Sequence, residues 1–173
     1  MRILSFPEES VPRDLRRQVR ELQDEAWPPG AGDPAPGVDA PVHDPLLCPR
    51  SMLLVDGDTV LAALDILSTS IVHAGRRCAV GGLSTVVTRR AARGRGHGRH
   101  LVAAAREAMG AAGRLDLGVF TCDRPLQAFY ESAGWQHVPG AVLVGGTPDA
   151  PSPATGPDST RSWWPTTSPR TAA

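Results

Sequence analysis

The stretch that decides the fold lies in the second half of the chain, where residues 83–101 read LSTVVTRRAARGRGHGRHL. Its first part is rich in β-branched residues, which are typical of a strand. The middle alternates arginine with glycine and predicts a turn, because glycine adopts backbone conformations that other residues avoid. A helix is predicted over about 98–112, with one stripe of small apolar side chains. That stripe consists of Leu101, Ala105, Ala108 and Ala112.

The turn has the features of a phosphate-binding loop. Glycines let the backbone approach a ligand closely and present successive N–H groups. The positive end of the following helix dipole also favours an anion. Arg93, Arg95 and Arg99 can add charge-assisted hydrogen bonds. The segment therefore predicts a site for a pyrophosphate group.

The spacing of the glycines narrows the choice of phosphate ligand. A P-loop requires the pattern G-x-x-x-x-G-K-[ST], and the sequence contains no lysine. The dinucleotide fingerprint G-x-G-x-x-G is not matched either, because Gly94, Gly96 and Gly98 alternate with other residues. The turn does match the pattern R-x-x-G-x-G, through Arg93, Gly96 and Gly98.

A second motif follows at residues 123–135, which read DRPLQAFYESAGW. Asp123 is a suitable cap for a helix over 125–133, and Gly134 stands where a left-handed cap would end it. Together with the arginine-glycine turn, this segment resembles the GNAT superfamily of N-acetyltransferases. Members of that superfamily carry Phe-Tyr-Glu near the end of this helix and Gly-Phe or Gly-Trp after it. Asp123 takes the position at which they usually have asparagine.

The resemblance covers residues 51–144 and implies an α/β (α+β) fold. The expected architecture is a mixed, mostly antiparallel twisted sheet flanked by helices, with a splayed pair of parallel strands. It further implies acetyl-coenzyme A as cosubstrate, with the pyrophosphate on the turn between the fourth strand and the next helix. The expected cofactor contacts are Val86, Val87, Thr88, Arg93, Gly94, Arg95, Gly96, His97, Gly98, Arg99 and Asp123. Within the superfamily, residues 75–93 and the short loop before Phe129 look most like aminoglycoside 2'-N-acetyltransferases.

The resemblance also implies direct acetyl transfer in the gap between the fourth and fifth strands. The pantetheine arm is expected to pair with the backbone at residues 86–88, where an N–H near Val87 or Thr88 hydrogen-bonds the thioester carbonyl. Tyr130 is the candidate catalytic residue, because a neutral phenol can protonate the departing thiolate. Its alternative role is that of a packing aromatic. Cys122 is expected to be a buried structural thiol rather than a nucleophile.

The base that activates the amine is left open by the sequence. The candidates are His43, Asp44, Asp39, Asp33 and Asp65. Each of these residue types is more often solvated or part of a turn than catalytic, and a chain of water molecules is a further alternative.

The remaining patterns predict one domain over residues 1–146 and a mostly disordered tail over 147–173, which is rich in Pro, Ser and Thr. A first helix is predicted to begin near Pro12, and residues 27–49 are predicted to form a long irregular segment. The apolar face of that helix consists of Leu15, Val19, Leu22 and Ala26. Strands are predicted at 1–6, 52–55, 60–67, 78–88, 115–121 and 135–144.

Composition argues against several other classes of protein. The formal net charge is zero, which is atypical of a protein that coats nucleic acid or an anionic membrane. The apolar runs are too short for a membrane span, and the N-terminus lacks the features of a secretory signal. Cys48, Cys78 and Cys122 are widely separated, which supports neither a metal site nor a disulfide framework. A reducing cytoplasm is therefore the expected compartment.

The leading hypothesis is an acetyl-coenzyme A-dependent N-acetyltransferase that acts on a primary amine of a small molecule or a peptide. Acidic residues between Asp33 and Asp44 favour a cationic acceptor such as an aminoglycoside or a polyamine. A non-catalytic acyl-coenzyme A-binding protein is the first alternative, and a nucleic-acid-binding module that uses the arginines is the second. No nucleic-acid, membrane or metal partner is expected, and a homodimer remains open.

Overall fold

The computed structural model describes residues 1–28, 37–73, 75–111, 113–140, 144–147, 150–153 and 159–165. The strands are β1 Arg2–Pro7, β2 Arg50–Asp56, β3 Thr59–His73, β4 Arg76–Thr88, β5 Leu117–Asp123, β6 Gln136–His137, β7 Val144–Thr147, β8 Ala150–Pro153 and β9 Ser159–Pro165. The α-helices are α1 Arg13–Ala26, α2 His97–Ala111 and α3 Gln127–Ser132. Short 3-10 helices lie at Glu8–Ser10, Pro45–Leu47, Arg90–Ala92 and Arg124–Leu126. Within these ranges, no helix is long and apolar enough to cross a membrane.

Seven strands form one mixed sheet in the order β1-β2-β3-β4-β5-β9-β6. Neighbouring strands run antiparallel, except that β4 and β5 are parallel. A separate two-stranded sheet joins β7 to β8. The expected mixed, mostly antiparallel sheet is therefore confirmed.

Helices cover the sheet on both faces, and strand β2 reflects this in its burial. Leu53 and Val55 belong to the core cluster that packs against α1, whereas Met52 and Leu54 belong to the cluster that packs against α2. Successive side chains of a strand point to opposite faces. With a helix on each face, the middle of β2 is buried at every residue from 51 to 55.

The predicted apolar face of α1 is confirmed. Leu22 is buried, and the other predicted members pack against the same cluster: Leu15, Val19 and Ala26. The helix begins directly after Pro12, in agreement with the preference of proline for the start of a helix.

The predicted stripe of α2 is only partly correct. The residues that the helix buries are Gly98, Leu101, Val102, Ala105 and Met109. Ala108 is exposed, and Ala112 lies outside the described residues. The larger side chains of Val102 and Met109 bury more apolar area than a run of alanines would, so the helix turns them toward the sheet.

The C-terminal part of the chain differs from the prediction. Of the strand expected over 135–144, the described residues form β6 at Gln136–His137 and the first residue of β7, Val144, whereas 141–143 lie outside the described ranges. In the segment expected to be disordered, residues 150–153 and 159–165 form strands, and β9 pairs with β5 along its whole length. A physical reason is that β5 would otherwise present an unpaired backbone edge on the side away from β4. The other residues of the predicted tail, apart from 147, lie outside the described ranges. The end of the domain at residue 146 therefore stays a prediction.

Strands β4 and β5 touch at one end and separate toward the other. They pair at Val80 with Leu117 and at Gly81 with Gly118. A β-carbon on Gly82 would lie only 2.3 Å from the backbone oxygen of Val119, so the close approach of the two strands requires glycine. From there β4 continues to Thr88 without further pairing to β5 among the described residues. The expected splayed parallel pair is thus present.

Candidate active site

The opening between β4 and β5 leaves one backbone edge of β4 accessible. On the opposite edge, Val87 and Thr88 pair with Ala63 and Ala62 of β3. Because hydrogen-bonding groups of a strand alternate between its two edges, half of those near residue 87 point into the opening. Val87 packs on the α1 side of the sheet, and Val86 packs on the α2 side. These residues lie at the strand edge to which the family resemblance assigns the pantetheine arm.

A β-bulge lies just before this edge. Ala63 and Asp65 of β3 are two residues apart, whereas their partners on β4, Val87 and Ser84, are three residues apart. Within the bulge, Thr85 has a φ of 47°. Side chains that branch at the β-carbon rarely adopt this conformation, and it costs about 1–3 kcal/mol. The surrounding structure must therefore hold Thr85 in place.

Asp65 is the buried carboxylate that holds the bulge. Its Oδ1 accepts a hydrogen bond from the Ser51 hydroxyl at 2.5 Å, and its Oδ2 accepts one from the Thr85 hydroxyl at 2.5 Å. Burial raises the pKa of Asp65 above its ordinary value of 3.8, and these two hydrogen bonds oppose the shift. Asp65 was a candidate base, but both of its oxygens already accept hydrogen bonds from neighbouring hydroxyls.

The glycine-rich turn before α2 has the open backbone that an anion site needs. Gly94 and Gly96 have φ values of 75° and 80°, and a β-carbon on either would meet no atom within 4 Å. These glycines are therefore required by backbone conformation and not by crowding. The His100 N–H donates to the Gly96 carbonyl at 2.9 Å. The preceding amides of the helix start, at residues 97–99, thus have no carbonyl of an earlier turn to bond.

Gly98 has a different role from the other two glycines. A β-carbon there would lie 2.7 Å from the Thr88 hydroxyl oxygen and 3.4 Å from the Phe129 ring. Its absence of a side chain lets the start of α2 pack against both the end of β4 and α3. The turn, the strand edge and the second motif therefore meet at one point.

The charged side chains of the turn are directed to the surface. Arg93, Arg95 and Arg99 are exposed, and His97 is partly buried at the start of α2. The Arg93 Nε donates to the Thr88 carbonyl at 3.1 Å, which ties the turn to the end of β4. An exposed group of three guanidinium side chains beside free helix amides is suited to a diphosphate.

Tyr130 is part of α3, within the second motif, and lies in the core against Phe120 of β5. It is 6% exposed, and its ring packs against Phe120 and Phe129 with centroid distances of 4.6 and 4.9 Å. Burial, with smaller contributions from Cys122 and Asp123, raises the pKa of Tyr130 from 10.0 to about 12. The phenol is therefore neutral at physiological pH.

The two ends of the second motif differ in how well the sequence predicted them. Asp123 is exposed and its side chain makes no capping hydrogen bond, because the 3-10 helix Arg124–Leu126 separates it from α3. The predicted cap is therefore wrong. Gly134 has a φ of 90° and donates to the Glu131 carbonyl, so the predicted left-handed cap is confirmed. Cys122 is buried, as expected.

A cavity of about 400 Å³ lies between α1 and the loop before β2, next to Ser51 of β2 and Asp65 of β3. Its wall is mainly apolar and includes Val11, Val19, Val38, Ala40, Pro41, Val42, Pro45 and Pro49. Its polar and charged lining consists of Glu8, Glu9, Arg16, Arg20, Gln23, Asp39, His43, Ser51 and Asp65. A cavity of this size accepts a small ligand or the end of a longer one.

His43 connects this cavity to β4. Its Nδ1 lies 2.7 Å from Glu8 Oε2, and its Nε2 lies 3.0 Å from Ser84 Oγ. The Val42 N–H donates to Glu8 Oε1 at 2.6 Å, so one carboxylate holds both the loop backbone and the imidazole. Ser84 directly precedes the strained Thr85 of the bulge.

The structure separates the acidic candidates from one another. Asp39 forms ion pairs with Arg13 and Arg16 at 3.6 and 3.4 Å. Asp44 accepts a hydrogen bond from the Leu46 N–H at 2.9 Å and caps the 3-10 helix Pro45–Leu47. Asp33 lies outside the described residues. Of the candidates that the structure describes, Asp39, His43 and Asp65 line the cavity, and His43 and Asp65 also hydrogen-bond residues of β4.

Glu8 is the site residue that sequence reasoning missed. It stands 35 positions before its partner His43, in a turn where an acidic residue is ordinary. With His43 and Asp65, it offers ligand atoms that all lie within 4.8 Å of one another. Both imidazole nitrogens and both Asp65 oxygens are already within hydrogen-bonding distance of protein groups. This arrangement favours the handling of a proton over the binding of a cation.

A sequence model of the Acetyltransferase (GNAT) family matches residues 16–135. The chain belongs to this family. The match begins within α1 at residue 16. It continues through the loop before β2, strand β4 with its bulge and the glycine-rich turn, and it ends at Trp135 in the second motif. The resemblance inferred from the two motifs is therefore confirmed.

Solved structures with the same fold include Escherichia coli ElaA and two proteins described as an acyltransferase and an acetyltransferase. Escherichia coli ElaA has a TM-score of 0.60 and 16% identity, with 94% of this chain and 99% of that chain covered. An acyl-CoA N-acyltransferase from Pseudomonas aeruginosa has a TM-score of 0.59 and 19% identity, with coverage of 94% and 97%. A putative N-acetyltransferase from Lactobacillus plantarum has a TM-score of 0.58 and 22% identity, with coverage of 95% and 97%. At these sequence identities, the likeness to the solved structures establishes the fold. A search among curated protein sequences found no match to this chain.

Proposed function

We propose that this GNAT protein transfers the acetyl group of acetyl-coenzyme A to a primary amine. The observation that carries the proposal is the opening between β4 and β5, which leads directly to the open turn at Gly94 and Gly96. A strand edge with unpaired backbone groups suits the amide-containing pantetheine arm. The helix start with its exposed arginines suits the pyrophosphate.

The edge of β4 supports an oxyanion site in this proposal. A backbone N–H near Val87 or Thr88 donates to the thioester carbonyl, and this bond strengthens as negative charge develops on the oxygen. The contribution of one such donor is about 10²–10³ in rate in other enzymes. The bulge at Thr85 sets the position of this N–H, because it shifts the register of β4 against β3.

Tyr130 serves the departing sulfur. Its pKa of about 12 keeps the phenol protonated, whereas an ordinary thiol has a pKa of about 8.5. Complete proton transfer from the phenol to the thiolate would thus be uphill by about 3.5 pK units, or roughly 5 kcal/mol. We therefore expect Tyr130 to stabilise the thiolate chiefly by donating a hydrogen bond.

The acceptor occupies the cavity between α1 and the loop before β2. Its largely apolar wall supports a primary amine carried on a small, partly apolar body, as in an alkylamine or the N-terminus of a short peptide. Asp39, which favoured a polycationic acceptor, is already paired with Arg13 and Arg16. Aminoglycosides and polyamines remain in the test panel. The proposed compartment is the cytoplasm, where the cofactor and reduced thiols coexist.

The cofactor site is tested by calorimetric titration with coenzyme A. A double variant, Arg95→Ala with Arg99→Ala, is expected to weaken binding at least about tenfold, because charge-assisted hydrogen bonds contribute about 1.5–3 kcal/mol each. Arg77→Ala is the matched control, since Arg77 is an exposed arginine at the opposite end of β4. Equal affinity of the double variant and the control would overturn the assignment of the turn.

The reaction is tested by thiol release from acetyl-coenzyme A with a panel of alkylamines, peptides, aminoglycosides and polyamines. Amine-dependent release is the expected result. Coenzyme A binding without release by any amine would favour a non-catalytic acyl-coenzyme A-binding protein, to which the unusual Asp123 also points. A salt-sensitive shift of DNA or RNA, without coenzyme A binding, would favour the nucleic-acid alternative.

A further inference from the structure

We propose that His43, held by Glu8, is the base that removes the proton from the acceptor amine. The inference rests on the proposed acetyl transfer and adds to it a residue that the two sequence motifs do not contain. It starts from a continuous series of hydrogen-bonded side chains, Glu8–His43–Ser84, in which Glu8 and His43 line the cavity and Ser84 belongs to β4.

The series fixes the imidazole in one orientation. The side chains of His43 and Glu8 are only 9% and 13% exposed. The second oxygen of Glu8 accepts the Val42 N–H at 2.6 Å, and the Glu8 N–H donates to the Pro49 carbonyl at 3.0 Å. The loop that carries His43 is thus tied to Glu8 on both sides of the imidazole, at Val42 and at Pro49.

The contacts also determine which nitrogen can accept a proton. An ionised carboxylate can only accept, so Nδ1 of His43 must donate to Glu8 Oε2. In the neutral imidazole, Nε2 is then the acceptor, and it lies 3.0 Å from Ser84 Oγ. Ser84 donates its hydroxyl proton to Nε2 and can in turn accept a proton at Oγ. Carboxylate, imidazole and hydroxyl are therefore arranged for proton removal.

The position of Ser84 connects this series to the reaction. It directly precedes Thr85 in the bulge, and the strand edge near Val87 follows within three residues. In the proposed reaction, the amine held in the cavity reaches the thioester beside this hydroxyl, through which its proton passes to His43. The other charged groups near the imidazole are Asp65 of β3 and, elsewhere in the cavity lining, Glu9, Arg16, Arg20 and Asp39. The Arg16 guanidinium donates hydrogen bonds to the carbonyls of Glu9 and Val11 and thereby stabilises the turn that carries Glu8.

The proton and electron balance of the step is simple. The ammonium form of the acceptor loses one proton to Ser84 Oγ, while the Ser84 hydroxyl proton passes to His43 Nε2. The amine nitrogen then forms a bond to the acetyl carbon, and the carbon–sulfur bond breaks with its electron pair on sulfur. The second proton lost by nitrogen neutralises the thiolate. His43 returns its proton to solvent, so the products are an amide, a thiol and one released proton.

The test uses the amine found in the thiol-release screen. His43→Gln is expected to lower kcat/KM about 10²–10⁴-fold at pH 7, as is typical for loss of a general base. Coenzyme A affinity should remain unchanged, which also reports that the variant is folded. Leu46→Ala is the control in the same loop, because Leu46 is 82% exposed, and it should retain full kcat/KM.

Two further measurements separate a catalytic from a structural role. The wild-type kcat/KM should fall with slope one toward acid pH, because a general base acts only when it is unprotonated, and His43→Gln should lack this limb. Added imidazole should restore part of the activity of His43→Ala. Glu8→Gln should cost less than His43→Gln, because it removes the charge and the fixed tautomer but keeps the base.

Three results would overturn the inference in distinguishable ways. Wild-type kcat/KM and pH profile in His43→Gln would remove His43 and leave the proposed function intact. Activity that is lost on chelation and restored by a divalent cation would assign Glu8, His43 and Asp65 to a metal instead. Coenzyme A binding with no turnover of any amine by the wild type would remove both the proposed function and this inference.

Discussion

The donor and acceptor parts of the site, which meet at β4, are built in opposite ways. The donor side is formed by the strand edge, the exposed turn at Gly94 and Gly96, and α2, which follow one another between residues 86 and 111. The acceptor side is buried and joins five separate segments, which contribute Glu8, His43, Ser51, Asp65 and Ser84. The donor side offers open backbone to a ligand that many proteins share. The acceptor side offers fixed side chains, so it is the part that can distinguish one amine from another.

On the donor side, the largest expected effect concerns Tyr130. Tyr130→Phe removes the hydrogen-bond donor and keeps the ring that packs against Phe120 and Phe129. We expect kcat to fall about 10–10⁴-fold, because the departing thiolate loses the hydrogen bond that stabilises it. Steady-state kinetics should find the acid limb of the pH profile unchanged, because that limb is assigned to the acceptor side. Full kcat in this variant would mean that Tyr130 only packs.

This separation explains which parts of the site the sequence could predict. Gly94 and Gly96 adopt positive φ, so the backbone itself requires glycine there and leaves a local pattern. The partners of His43 and Asp65 come from distant segments, and their spacing along the chain carries no information on contact. Asp39 and Asp44 were equally good candidates until the structure paired one with arginines and the other with a helix start.

The same reasoning accounts for what was predicted of the fold. The α1 and α2 patterns record burial against a neighbouring sheet, which a periodicity of 3.6 residues reveals. Strand β9 was missed because its partner β5 contributes backbone hydrogen bonds, which impose little on residue type. The cap at Gly134 was found because a left-handed residue is nearly always glycine, whereas Asp123 had several conformations open to it.

A smaller effect on stability is expected at Gly82, where β4 and β5 approach each other closely. The Ala side chain of Gly82→Ala would stand 2.3 Å from the Val119 backbone oxygen, so β4 and β5 must move apart or the strands must distort. We expect the free energy of unfolding to fall by about 1–3 kcal/mol, as for other overpacked sites. Denaturant titration is the measurement.

Gly110→Ala is the matched control for this substitution. A β-carbon at Gly110 would meet no atom within 4 Å, and the residue lies in α2. It should stabilise the protein by up to about 1 kcal/mol, because alanine favours the helix over glycine. Equal stability of the two variants would show that the strands can separate at Gly82 without cost, contrary to a fixed opening.

The smallest expected effect is a pH dependence that originates on the acceptor side, at Asp65. Burial raises the pKa of this carboxyl in the folded protein above its ordinary value of 3.8. The folded state therefore holds the proton more tightly than the unfolded state does, and stability gained from Asp65 is fully present below about pH 3.9. That contribution is lost as the pH rises through the raised pKa and stays constant above it.

Asp65→Asn isolates this contribution, because asparagine cannot titrate yet can still bond both hydroxyls, accepting from one and donating to the other. The Tm of the wild type minus that of the variant should therefore increase as the pH is lowered toward 4, since acid effects at other groups cancel in the difference. Asp58→Asn, in the exposed turn between β2 and β3, should give a flat difference over the same range. A difference for Asp65→Asn that decreases toward low pH would mean that the two hydroxyls stabilise the ionised carboxylate more than burial disfavours it. Asp65 would then be a charged partner of His43 rather than a brace for the bulge.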